Sequence, residues 1–185
     1  MKKMNAITFA RTGHVLGVVT RAGLPDKPAA PADVASSGFR LRGSEGNDIV
    51  VDLPSDEIGV ALVDYDTRAL YQPYLFVEEN GGIELKGAGN YPNNPAGKAV
   101  DLTVELSGAQ VTVKIPNAVS TPTEVWCHIS GDILSESVLR PVTIPGTSTS
   151  SKKTGSEPLE LRSGSYKVAM FAPGYALAVF TAVVP

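Results

Sequence analysis

An all-β fold of antiparallel sheets, a β-sandwich, is predicted by three features of this 185-residue chain. Apolar residues recur with a period of two in many short runs. Those runs are rich in Val, Ile, Leu, Thr and aromatic residues. They are punctuated by 18 glycines and 14 prolines, too many for long helices. Short strands between frequent turns describe a sandwich or a barrel. An apolar fraction of 43% beside 19% charged residues suits a chain that buries a real core.

In the first half, the strands are NAITFA (5–10), HVLGVVT (14–20), GFRLR (38–42), NDIVVDL (47–53), IGVALVDY (58–65) and PYLFVE (73–78). The clearest element follows. In AVDLTVEL, Val100, Leu102, Val104 and Leu106 alternate with Asp101, Thr103 and Glu105, and after Ser-Gly the pattern resumes with Val111, Val113 and Ile115. Side chains alternate across a strand, so this is an antiparallel hairpin with one dry face and one wet face. EVWCHIS (124–130), SVLRPVTI (137–144), PLELR (158–162), SYKVAMF (165–171) and YALAVFTAVV (175–184) complete the set.

Three stretches read as loops: 24–38, rich in Pro, Ala and Ser; the Gly/Asn/Pro cluster 87–98; and the polar 145–158, which is predicted to be mobile. The middle one marks a boundary between an N-terminal β-domain, 1–88, and a second unit, 99–185. One continuous sandwich that exchanges strands across the midpoint fits the sequence equally.

The segment LELRSGSYKVAMFAPGY (159–175) resembles the closing hairpin of immunoglobulin-like and carboxypeptidase-regulatory-like domains through Leu161, Gly164, Tyr166, Val168, Met170, Pro173, Gly174 and Tyr175. HVLGVVTRAGLP (14–25) is similar to the opening strand of the regulatory-like family. The resemblance implies an immunoglobulin-like sandwich over 99–185, with the Tyr166 ring on the core and its hydroxyl bonded to backbone at the corner. It implies nothing about catalysis.

A net charge of −3, with Lys and Arg scattered, argues against nucleic acid as a partner. The start lacks the apolar run of a signal peptide and no stretch is long enough to span a bilayer, so cytoplasmic synthesis is expected. The single cysteine forms no internal disulfide.

TEVWCHISG (123–131) gathers the only tryptophan, the only cysteine and one of two histidines. On a strand, Cys127 and His128 point to opposite faces and do not form a thiolate–imidazole pair. Val125, Cys127 and Ile129 belong to the core face. Trp126 either packs beneath a loop or serves as a ligand anchor. The acids Asp52, Asp56, Glu57, Asp64 and Asp66 lack EF-hand spacing and read as solvated strand ends. GNYPNNPAGKAV fails the phosphate-loop pattern at Pro92 and Ala99. Tyr65, Tyr71, Tyr74 and Tyr91 would be candidates for a sugar-binding surface.

No catalytic, cofactor or metal constellation emerges, and the chain reads as a non-enzymatic structural or assembly subunit, as in a phage-tail-like particle. A carbohydrate-binding module is the alternative. YALAVFTAVVP is apolar on both alternating sets, so it is either central within its own fold or completed by another subunit. On the second reading Tyr175, Leu177, Val179, Phe180, Ala182 and Val184 are the candidate interface, with self or another protein as partner.

Overall fold

The computed structural model describes residues 2–20, 27–34, 39–42, 48–86, 102–131, 134 and 137–185. The first half holds β1 (Lys3–Phe9), β2 (Val15–Val19), the short helix α1 (Pro31–Val34), β3 (Phe39–Arg42), β4 (Asp48–Val51), β5 (Ile58–Asp64), the short helix α2 (Thr67–Tyr71), β6 (Phe76–Glu79) and β7 (Gly82–Leu85). The second holds β8 (Thr103–Leu106), β9 (Gln110–Val119), β10 (Pro122–Ser130), β11 (Val138–Pro145), β12 (Lys152–Pro158), β13 (Gly164–Phe171) and β14 (Ala178–Val184). The fold is all-β. Its strands form sheets β2-β1-β5, β11-β10-β13-β14 and β12-β9-β8 with hairpins β3-β4 and β6-β7, and every pairing is antiparallel. The proposed boundary at 87–98 and parts of the 24–38 loop lie outside the described residues.

The expected hairpin is β8–β9, with Leu106 opposite Val111 and Val104 opposite Val113. Its dry face, with Leu106, Val111, Val113 and Ile115, meets Val125, Cys127, Ile129, Val142, Ile144, Tyr166, Val168 and Met170 of the four-stranded sheet in one buried cluster. Two sheets thus enclose a common core. The other face of the four-stranded sheet is covered as well. Ala169, Phe171, Leu177 and Val179 share a second cluster with Ile7, Phe9, Leu16, Ile49, Val51 and Ile58 of the first half. β1 repeats the arrangement one layer out, because Ile7 and Phe9 enter that cluster while Met4 and Ala6 enter a third with Val63, Leu75 and Phe76. Strands covered on both faces read as continuous apolar runs, which accounts for the VAMF end of β13.

Two turns are fixed by backbone chemistry. Asn80 and Gly81, at φ 54° and 76°, join β6 to β7 as the two-residue turn whose central residues both need positive φ. Pro173 and Gly174 make a type II turn: Gly174 has φ 80°, and the Tyr175 amide donates to the Ala172 carbonyl at 3.1 Å. That turn delays β14 to Ala178, so the last strand is shorter than the sequence run suggests. Nearby, the buried Tyr166 donates its hydroxyl to the Arg162 carbonyl at 2.7 Å. The corner bond therefore forms within the protein as its residues imply.

Two expectations are corrected. The stretch 145–158 is not one long loop: Lys152–Pro158 is β12, paired with β9. Its sequence, KKTGSEP, shows no apolar alternation because close backbone approach replaces side-chain burial. Gly155 is buried against β11, and a Cβ there would strike the Thr143 carbonyl. Conversely, PLELR does not continue as a strand beyond Pro158. Its backbone instead bonds to the β8–β9 turn, Leu159 to Ala109 and Leu161 to Gly108, and Leu161 is buried.

Gly155→Ala is expected to cost about 1–3 kcal/mol through overpacking against backbone, read as a lower urea midpoint. Gly82→Ala, whose added carbon meets only Glu79 oxygen at 3.8 Å, should be far milder. An unchanged midpoint for Gly155→Ala would refute the close β11–β12 crossing.

Candidate functional site

The richest stretch of the sequence lies in β10, an interior strand paired with β11 on one side and β13 on the other. Alternation along an extended chain divides its side chains between the two cores. Val125, Cys127 and Ile129 are fully buried between the two sheets of the second half. There, burial pushes the Cys127 thiol up to about 12, so it stays protonated at neutral pH. Trp126 and His128 face the opposite way, toward the first half. Cys127 and His128 are therefore separated by the sheet itself.

The face carrying Trp126 is a seam between the four-stranded sheet and the first half. Phe9 of β1 meets the Trp126 ring edge-on at 5.8 Å and the Phe171 ring at 4.8 Å. The Arg11 guanidinium lies 5.4 Å over the indole and makes two 2.7 Å bonds to the nearly buried Glu57 carboxylate. Those bonds, with the attraction of the guanidinium charge, hold the Glu57 carboxyl below its ordinary range. Trp126 is half-buried, packed on one side and covered by a cation on a face.

Both histidines are fully buried in this region. The Asp52 backbone amide donates to His128 Nε2 at 3.2 Å. That nitrogen must therefore hold a lone pair, which leaves the proton on Nδ1. Burial lowers the His128 pKa to about 4, opposed by the Asp52 charge. His14 lies where the chain enters β2, with Nδ1 2.7 Å from the Thr12 hydroxyl and its ring edge-on to Phe171 at 5.5 Å. Its buried Nε2 has no hydrogen-bond partner among the described residues, and burial lowers its pKa to about 4, opposed by the Tyr175 backbone. Both rings are neutral at pH 7.

Of the acids named from the sequence, Asp52 and Asp56 are exposed, while Glu57, Asp64 and Asp66 have structural partners. Asp64 pairs with Lys3 at 2.6 Å, and Asp66 accepts from the Arg68 amide at the start of α2 and pairs with its guanidinium at 2.7 Å. Among the described residues, no three His, Cys, Asp or Glu side chains converge on one point. Tyr65 carries the Lys2 ammonium 3.9 Å above its ring, Tyr74 packs on the core, Tyr71 is exposed, and Tyr91 lies outside the described residues. An open groove of about 700 Å³ runs between the β8–β9 turn and residues 158–162, with Arg140, Glu160 and Arg162 at its edge. Among the described residues, no helix is long and apolar enough to cross a membrane.

The residues named as a candidate interface are distributed across the fold. Leu177 and Val179 are buried in the seam, and Val184 is buried between the two sheets. Phe180 and Ala182 are half-buried, and the Tyr175 hydroxyl accepts from the Asn117 amide at 3.3 Å. The exposed positions of β14 are Thr181 and Val183. Sequence reading missed the seam. Arg11–Glu57 and Asp52–His128 join residues 46 and 76 positions apart, and no local pattern announces such pairs. Comparison with protein-family models, curated proteins and solved structures returns no match.

Cys127 is expected to resist thiol reagents in the folded protein, and Cys127→Ala to cost on the order of 1 kcal/mol as a small core truncation. Rapid labelling at native pH would refute its burial. A second outcome concerns acid. The unfolded chain binds a proton at each histidine near pH 6.5, while the folded chain resists until about pH 4. Stability is complete above pH 6.5 and falls as pH drops toward 4, by on the order of 3 kcal/mol per histidine. Denaturant melts at pH 7.5 and 4.5 measure this; equal stability at both would contradict the neutral, buried rings.

Proposed function

We propose that this chain is a non-catalytic structural or assembly subunit of a multi-subunit particle, phage-tail-like or otherwise, with an immunoglobulin-like sandwich as its second half. It acts through protein–protein surfaces, and the edge of β14 is the contact. The observation that carries this reading is the nature of that edge. β14 ends the order β11-β10-β13-β14, and its outer side has no backbone partner among the described residues. Its seven residues, AVFTAVV, contain no charge and no proline, and its register with β13 is free of bulges. Val183 is 66% exposed.

Monomeric proteins blunt such edges with lysines, prolines, bulges or short strands. Two other edges here are blunted: β11 contains Arg140 and Pro141, while β12 carries Lys152 and Lys153 and an irregular register. β14 is left open. Two copies of AVFTAVV paired antiparallel about a twofold axis would set no like charges opposite each other, which favours self-association. The carbohydrate-binding alternative has less support, because the Trp126 ring that would stack on a sugar already carries Arg11.

Sedimentation at micromolar concentration tests the proposal. Wild type is expected to exceed monomer mass, and Thr181→Lys with Val183→Lys to be monomeric at unchanged thermal stability. Both positions are exposed, unlike Ala178 and Val184. A strictly monomeric wild type with no partner recovered from its native source, or an equally associated variant, would sink the proposal.

A further inference from the structure

We infer that the seam is an acid-sensitive joint: proton uptake by His14 and His128 parts the first half of the chain from the four-stranded sheet, while the two sheets of the second half stay together. The geometry concentrates every buried imidazole of the chain at this one layer boundary. His128 projects from β10 to the segment after β4, and His14 sits between the start of β2 and Phe171 of β13.

The His128 ring is held in a form that a proton destroys. His128 Nε2 accepts from the Asp52 amide, so its protonation sets a donor against a donor and places a charge where the residue has no solvent exposure. Its strand neighbours in register, Leu139 and Ala169, offer no compensating carboxylate, and the charged group that acts on it is Asp52. His14 is surrounded by the Thr12 hydroxyl, the Phe171 ring, the Tyr175 backbone and Val77 of β6, to which it is bridged. No carboxylate acts on it among the described residues.

The surroundings determine which layer yields. At the rim, Arg11 and Glu57, with Asp56 and Glu124 nearby, form a pair in which the guanidinium holds the Glu57 carboxyl below its ordinary range. The buried core between the two sheets of the second half is composed of aliphatic residues with Met170, Cys127 and Tyr166, and holds no imidazole or carboxylate among the described residues. Acid thus acts on one core and spares the other. Opening would bare Trp126, Phe171, Leu177 and Val179 together, a large apolar face.

Trp126 is the chain's only tryptophan, so its emission reports the seam directly. Full-length protein is titrated from pH 7.5 to 4, with amide exchange followed by mass spectrometry and corrected for intrinsic rates. The expected result is a red shift of emission with a midpoint between about pH 6.5 and 4, set by the free and buried imidazole values. Protection across 3–9 and 58–64 should fall by about tenfold or more at a pH where 111–115 and 166–170 remain protected. His128→Gln, which keeps an acceptor for the Asp52 amide, and His14→Gln should each move the midpoint down by about half a pH unit or more. Simultaneous loss of protection in both halves, or wild-type midpoints in both variants, would overturn the inference. If neither variant folds, the order of protection loss in wild type decides alone.

Discussion

The four-stranded sheet β11-β10-β13-β14 contributes to a buried core on each of its two faces, and most other features of the protein follow from that. Its inner face needs the three-stranded sheet, and its outer face needs the first half of the chain. Among the described residues the two clusters contain 17 and 11 buried residues, so neither covering layer is a minor addition. Burying an aliphatic or aromatic side chain contributes about 1.5–3 kcal/mol, and Phe9, Phe171, Leu177 and Val179 all draw theirs from contact between the two halves. The first half does not hang beside the second; it completes the second's sheet.

A doubly covered sheet leaves polar side chains on its outer face few choices. His128 survives there by accepting a backbone amide from Asp52, and Trp126 by packing on Phe9 under Arg11. Such residues, adjacent in sequence, look like an active site. Their chemistry is divided by the sheet instead: Cys127 belongs to one core, while Trp126 and His128 belong to the other. The same burial that keeps the thiol protonated keeps the imidazoles neutral. The proposed assembly role rests on the β14 edge, whose outer side has no backbone partner among the described residues.

The period-two runs made most strands legible, because alternation is a local property. The β8–β9 hairpin, the core placement of Cys127 and the Tyr166 corner bond all follow from residues within a few positions of one another. β12 was illegible, since KKTGSEP owes its strand conformation to pairing with β9 and to Gly155 against Thr143, which is contact rather than pattern. The Asn80-Gly81 hairpin carried a strong local signal that strand-by-strand reading passed over. The seam itself depends on residues separated by half the chain. The apolar run over 175–184 pointed to a second covering layer without saying whether this chain or another supplied it, and the structure places Leu177 and Val179 against the first half.

The central claim is that one chain covers both faces of its own four-stranded sheet. Nuclear Overhauser contacts between the Phe9 ring and the Trp126 indole test it most directly, because these rings stand 5.8 Å apart and belong to opposite layers of the seam. Protein labelled with isotopes and diluted into unlabelled protein should retain the Phe9–Trp126 and His14–Phe171 contacts at full intensity, as intramolecular contacts do. Loss of those contacts on dilution, or their absence beside a solvent-exposed Trp126, would show that this chain does not cover the outer face itself.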